Sequence, residues 1–322
     1  MRLRALAPGK LNLCLFLGST RGDSRHELVT LLESVSLADE LTVSTLEPST
    51  LESELWTPAS EPTLARATPA PGSPAEGPDR VSCPGVEGPN LAARALAELR
   101  LRGWSAPPVA LEIRKRVPVA GGMGGGSADA AAVLRLAAAL EPIAPDVLGE
   151  VAVSLGADVP SQLTPGLVLG TGAGEIVAPL DPLAPHALLI VALDVGLSTP
   201  EVYREADRLG LPRSARELGR RRAELIGAAQ PGVRLPDRLL VNDLAPAALS
   251  LCPEIADSLA AVRQAGAQHA LVCGSGPTVA GLYWGDDALA RASADAAALA
   301  PRFGRACAVA PVSGGPGSPV PG

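Results

Sequence analysis

The chain has 322 residues, 47% of them apolar and 19% charged, with a formal net charge of −7. That length can hold two ordinary domains with ample cores, and the acidic balance offers no broad electrostatic reason to bind nucleic acid. Five widely spaced cysteines without a C-x-x-C pair argue against a zinc or disulfide framework and read as small buried hydrophobes in a reducing compartment.

Leu3 to Leu17 reads as extended structure with a bend at Pro8-Gly9, and Lys10 and Asn12 interrupt its apolar run too early for a secretory signal. Leu28–Leu46 continues the β pattern, with apolar residues at mostly even spacing. From about residue 48 to 89 the composition shifts to Pro, Ser, Thr, Glu and Ala, which predicts a variable surface insertion. Asn90–Arg102 has helical periodicity, Val109–Val117 alternates like a strand, and Ser127–Leu140 and Pro145–Leu155 read as helices. Strands are expected at Leu167–Val177, Ala187–Leu193 and Ala270–Leu282. Helices are expected at Pro200–Leu209, Ala215–Ala228, Cys252–Ala265 and Asp286–Ala300.

Strands and helices grouped without strict alternation predict an α+β architecture. The expected division is residues 1–164, then 165–310, then a disordered Gly/Pro/Ser tail from 311 to 322. Ala187–Leu193, the longest aliphatic stretch, is too short to span a bilayer. A cytoplasmic protein with neither a membrane nor a nucleic-acid partner is therefore expected.

Five of the six residues Gly121–Gly126 are glycine, set between a predicted strand and a predicted helix, with Ser127 opening the helix. Glycines let a backbone approach a phosphate closely, and a helix N-terminus adds partial positive charge. The bland alternative is a flexible connector, which needs only one or two glycines. Two better-known phosphate motifs fail: no G-x-x-x-x-G-K-[ST] is present, and Ser127 occupies the third glycine of G-x-G-x-x-G. Only two lysines stand among the basic residues. Lys115 lies in Arg114-Lys115-Arg116, where a solvated charge run suffices, whereas Lys10 lies in an apolar strand where a charge needs a reason. Asp158, just past a predicted helix, is by itself a turn residue. His26 could equally be a surface residue or a ligand contact. The loop Cys273-Gly274-Ser275-Gly276-Pro277-Thr278 could be a tight turn or a second wall of a nucleotide site.

Together, Pro8-Gly9-Lys10, Pro118 through Ser127 and Gly274-Ser275-Gly276-Pro277 resemble, in order and spacing across nearly the whole chain, the three motifs of the GHMP kinases. The resemblance implies a two-domain GHMP-kinase fold, an N-terminal ATP-binding domain followed by a C-terminal ferredoxin-like α/β sandwich. Lys10-Leu11-Asn12-Leu13, the segment Asp23 to Leu28, Gly156-Ala157-Asp158-Val159-Pro160 and Asn242-Asp243-Leu244 are similar to one branch of that family. That branch phosphorylates the 2-hydroxyl of cytidine diphosphate methylerythritol in the non-mevalonate isoprenoid pathway. The resemblance then implies roles. Asp158 would be the base and Lys10 would assist it. Asn90, near the adenine, with Pro118, Gly121, Gly122, Gly124, Gly125, Gly126 and Ser127, would hold ATP with Mg2+. Asn12, Arg25, His26, Asp158, Tyr203, Gly274 and Ser275 would contact the small-molecule substrate. A monomer or homodimer is expected. Arg25 stands where the branch usually has a tyrosine that stacks on the cytosine, although a guanidinium plane can also stack on a base. Ala128 replaces the loop's second serine. These departures keep two alternatives open: a GHMP kinase for another small alcohol, or a catalytically silent ATP-binding regulator.

Overall fold

The alternating apolar residues at the start of the chain form two long antiparallel strands, β1 (Arg2–Thr20) and β2 (His26–Thr45). The computed structural model describes residues 1–46, 79–312 and 318–321. Register shifts between Pro8 and Lys10 and between Asn12 and Cys14 bend β1. Such bulges re-aim side chains, and here they leave Lys10 and Asn12 both buried. After β3 (Arg80–Ser82) the chain forms α1 (Leu91–Leu101) and β4 (Val109–Arg114). Three helices follow, α2 (Gly125–Leu140), α3 (Pro145–Leu155) and the short α4 (Val159–Leu163). The hairpin β5 (Leu167–Thr171) and β6 (Ile176–Leu180) then joins the first sheet by pairing with residues 30–33 of β2.

The second sheet comprises β7 (His186–Val191), β8 (His269–Val272), β9 (Val279–Trp284) and β10 (Ala306–Val309). Its strand order is β10-β7-β9-β8, antiparallel throughout. Four helices lie between β7 and β8: α5 (Thr199–Arg208), α6 (Ala215–Ala228), α7 (Ala245–Leu251) and α8 (Ile255–Ala265). One more, α9 (Ala288–Phe303), lies between β9 and β10. This is the ferredoxin-like order and connectivity expected for the second domain.

β1 contributes to three apolar clusters. Leu3, Ala5 and Ala7 pack with α1, α2 and α3; Leu11, Leu13 and Phe16 meet Leu188, Ile190 and Leu282 between the sheets; Leu15 and Leu17 join α5, α7 and α8. One strand thereby ties both domains together, and the site lies where it crosses from one to the other.

Several expected boundaries move. Sheet pairing runs across the expected division at 164/165, because residues 164–166 follow α4 and feed β5 into the first sheet. Leu167 and Leu169 are buried there, so the second domain's sheet begins only at His186. The expected insertion is narrower at its C-terminal end. Asp79 pairs with Arg100 at 2.8 Å, and Arg80–Ser82 pair in parallel with β4; residues 47–78 lie outside the described residues. The expected disordered tail is tethered at both described ends, by the Val35–Pro311 bridge and by β11 (Val320–Pro321) on Leu3 and Arg4. The strand expected over Ala270–Leu282 is two strands around the Cys273–Thr278 loop. Of the five cysteines, Cys14, Cys252 and Cys273 are buried as expected, and Cys83 and Cys307 are only half-buried.

An ion pair joins the two sheets. His186 Nε2 on β7 lies 2.7 Å from Glu33 Oε2 on β2, and both side chains are 3% exposed. Burial works against the imidazolium, but the Glu33 carboxylate and the Ala184 carbonyl outweigh it and raise the His186 pKa. A histidine whose folded pKa exceeds its unfolded value stabilises fully below the unfolded value of about 6.5 and loses that contribution as pH rises through the folded one. His186→Gln should therefore cost most stability at pH 6 and progressively less toward pH 8, measured by urea denaturation. A pH-independent cost would show that the pair is not ionic.

Candidate active site

A cavity of about 440 Å³, within the usual size of small-molecule sites, is lined by residues of both domains. Its centre is the glycine loop. Gly124 is the N-cap of α2 with φ +66°, and no side chain caps the helix. The first backbone N–H to return a bond into the helix is that of Ala128, so the N–H groups of Gly125, Gly126 and Ser127 are left for another acceptor. The helix begins two residues before the expected Ser127.

Close approach explains the glycines. A Cβ on Gly122 (φ +79°) would lie 2.2 Å from the Cys273 carbonyl oxygen and 3.0 Å from that of Gly276. A Cβ on Gly124 would lie 3.0 Å from Cε of Lys10. The loop is thus pressed on one side against the Cys273–Thr278 loop of the second domain and on the other against the stem of Lys10. Of the two openings weighed for Cys273–Thr278, it is both a tight turn and a cavity wall, through Gly274 and Ser275.

Lys10 is 5% exposed, and a buried ammonium requires compensation. Its Nζ donates to Asn12 Oδ1 at 2.9 Å and lies 3.3 Å from Asp158 Oδ2. Asn12 Nδ2 donates to Thr30 Oγ1 at 2.7 Å, and Thr30 donates on to the Cys14 carbonyl. Both ends of the Asn12 amide are engaged in orienting Lys10. Asp158 occupies the N-cap position of α4 but makes no side-chain cap, and its carboxylate is 38% exposed toward the cavity. A turn residue would spend that carboxylate on its own helix.

The expected nucleotide residues Asn90, Pro118, Gly121, Gly122, Gly124, Gly125, Gly126 and Ser127 all line the cavity. Asn90 is also the N-cap of α1, accepting from the N–H groups of Ala92 and Ala93. Among the expected substrate contacts, Asn12, Asp158, Tyr203, Gly274 and Ser275 line it too. Arg25 and His26 do not. Arg25 Nε donates to Asp23 Oδ2 at 3.0 Å, which holds the guanidinium on the exposed turn. His26 is buried behind the wall, 2.8 Å from Asp207 Oδ1, with its ring centroid 5.1 Å from that of Tyr203. It supports Tyr203 from behind. Burial first, and the Asp158 charge second, push the Tyr203 phenol above its usual range.

Sequence reasoning missed Lys115, Asp129 and Thr30. Lys115 is no member of a solvated run: its side chain is 14% exposed, lines the cavity and pairs with Asp39 and Asp129. The available signal was the scarcity of lysine. The chain's two lysines, Lys10 and Lys115, stand in the same wall. The cavity also has apolar lining, from Cys83, Val86 and Leu91 in one part of the chain and from Leu28, Leu197 and Tyr203 in others. Among the described residues no group of three or more His, Cys, Asp or Glu could hold a metal ion by itself.

The profile of the GHMP kinases N terminal domain matches residues 90–166, and that of the GHMP kinases C terminal domain matches residues 220–301. The chain is 40% identical over 282 residues to the 4-diphosphocytidyl-2-C-methyl-D-erythritol kinase of Streptomyces coelicolor, covering 87% of each chain. It is 40% identical over 302 residues to that of Corynebacterium efficiens, covering 92% of this chain and 89% of the relative. A solved 4-(cytidine 5'-diphospho)-2C-methyl-D-erythritol kinase superposes with TM-score 0.67 at 30% identity, covering 97% of this chain and 99% of that one. Homoserine kinase from Cytophaga hutchinsonii shares the fold, with TM-score 0.64 at 16% identity over 99% of this chain and 96% of that one.

Gly122→Ala combines a left-handed φ with the 2.2 Å approach, and should cost about 2–5 kcal/mol of unfolding free energy. Gly126→Ala, whose added Cβ meets nothing nearer than 3.6 Å, should stay within about 1 kcal/mol. Urea denaturation of both variants tests this; equal costs would mean the two loops can part freely.

Proposed function

The chain belongs to the GHMP kinase family, and from that premise we propose that it transfers the γ-phosphoryl group of ATP to the 2-hydroxyl of 4-diphosphocytidyl-2-C-methyl-D-erythritol, in isoprenoid biosynthesis. The observation that carries this is the Lys10–Asp158 pair at 3.3 Å, facing a glycine loop whose helix N-terminus no side chain caps.

In this reading the triphosphate lies along the free N–H groups of Gly125, Gly126 and Ser127, where backbone dipoles favour negative charge. The adenine lies against the apolar lining of Cys83, Val86 and Leu91, beside Asn90. The residues fit such a ligand, because the helix N-terminus at Gly124 has no side-chain cap and faces the cavity. Magnesium would be held chiefly by the nucleotide's own phosphates, as is usual for an ion that keeps few protein ligands, and would neutralise charge there. The cytosine lies against Tyr203, which His26 backs at 5.1 Å.

Asp158 accepts the proton of the acceptor hydroxyl as that oxygen bonds to the γ-phosphorus. The bond from the γ-phosphorus to its bridging oxygen breaks, and ADP leaves with that oxygen. Lys10 stabilises charge on the transferring group, with Asn12 and Thr30 fixing its position. Positioning and electrostatics supply most of the rate in such a transfer. Arg25, the departure that suggested another acceptor, is drawn to Asp23 and away from the cavity wall. A silent nucleotide binder would have no use for a buried lysine paired with an acid.

Incubation with ATP, magnesium and the cytidine diphosphate alcohol should yield ADP and the 2-phosphate. Turnover no faster than that of Asp158→Ala would sink the assignment. Asp158→Asn should lower kcat by about a hundredfold or more while the protein still melts cooperatively. For the acceptor, Tyr203→Ala should raise KM by about tenfold, the worth of one base–aromatic stack, and Arg25→Ala should leave it within about threefold. The reverse ranking would place base recognition on Arg25.

A further inference from the structure

Behind the glycine loop lies a charged cluster that the phosphoryl transfer above does not use. Asp39, at the bend of β2, is fully buried. Its Oδ1 accepts from the backbone N–H groups of Arg116 and Val117, the last residues before the loop, and its Oδ2 accepts from Lys115 Nζ. The same ammonium donates to Asp129 Oδ2 at 2.6 Å, on the first turns of α2 just after the loop. Asp129 is 4% exposed and lines the cavity, and its Oδ1 has no protein partner. The Lys115 ammonium lies 3.3 Å from where a Cβ on Gly125 would stand, directly under the first residue of the helix.

Two carboxylates therefore share one ammonium at the point where an incoming anion meets the chain. Burial acts on Asp129 and on Lys115. It pushes Asp129 up to about 7 against the pull of Lys115, while the two aspartates more than offset burial at Lys115 and keep it charged. With the lysine gone, two like charges would face each other and the anion across a low-dielectric wall, where charge repulsion is poorly screened.

We propose that Lys115 is a positioning residue for nucleotide affinity: shared between Asp39 and Asp129, it cancels carboxylate charge behind the triphosphate. This rests on the reading that the loop holds the nucleotide. Lys115 acts through the two aspartates, and its effect belongs to binding whatever alcohol is phosphorylated.

The test is ADP binding by isothermal titration calorimetry on the full chain, which needs no acceptor. Lys115→Met should weaken ADP by about tenfold or more, and Asp129→Asn alone should leave affinity equal or tighter. The charge-balanced pair Lys115→Met with Asp129→Asn should return to within about threefold of the unaltered protein. It also decides the matter where Lys115→Met by itself fails to fold. Undiminished affinity in Lys115→Met overturns the proposal. So does a double variant as weak as the single one, since the lysine would then be contacting the nucleotide itself. Failure of the unaltered protein to bind ADP would overturn the nucleotide-loop reading first, and this inference with it.

Discussion

A lysine ammonium removed from water must be met by a carboxylate and hydrogen-bond acceptors, or the fold around it fails. Lys10 sits at the crossing of three apolar clusters on a strand that both domains share, and what surrounds it can be understood as the answer to that one demand. Asn12, two residues along the same strand, presents its oxygen to Nζ, and Thr30 on the neighbouring strand holds Asn12 in that orientation. The glycine loop lies close enough over the lysine stem that Gly124 admits no side chain. Gly274, on the second domain, comes within 3.5 Å of Nζ as measured from its own added Cβ. What remains is Asp158, whose carboxylate meets the ammonium on the cavity side and is still reachable from solvent.

The same logic repeats, with one more acid, at the second lysine. At Lys10 one cation is shared between one acid and one amide; at Lys115 one cation is shared between two acids. The first arrangement leaves a carboxylate free to accept a proton. The second leaves a buried carboxylate oxygen without a partner, and so concerns how much negative charge the wall can tolerate. Under the proposed function, chemistry and nucleotide affinity fall to two different lysines of one cavity wall.

The two domains are bound by more than the shared strand. The His186–Glu33 pair joins the sheets, while the Gly122 loop rests on the Cys273–Gly276 loop at the cavity. A cleft held at both places has walls whose spacing depends on packed backbone and a buried ion pair. That suits a reaction in which two phosphate-bearing ligands must be aligned within a fraction of an ångström.

Local spacing carried a large part of this in the bare sequence. Period-two runs, helical repeats and glycine stops are nearest-neighbour properties, so the α+β class and most elements were readable from residues 3–46 and 90–300. The order of the three GHMP-like motifs pointed to the family, to Lys10 and to the loop, and the string at residues 156–160 pointed to Asp158, because each is short and contiguous. What the sequence could not show were relations between residues far apart in the chain. The hairpin after Gly166 belongs to the first sheet because β5 pairs with β2, from Glu33↔Leu167 to Thr30↔Gly170, partners 134 to 140 residues apart that meet only once the chain has folded back. Lys115 looked like part of a solvated run because its partners, Asp39 and Asp129, lie 76 and 14 residues away. Arg25 was weighed as a base-stacking group, yet Asp23 two residues before it wins the guanidinium through local geometry. Motif strings thus identify which residues carry charge and hydrogen bonds, but only the folded backbone sets the distances over which those charges are paid off against one another, and with them which lysine faces the reaction and which stands behind it.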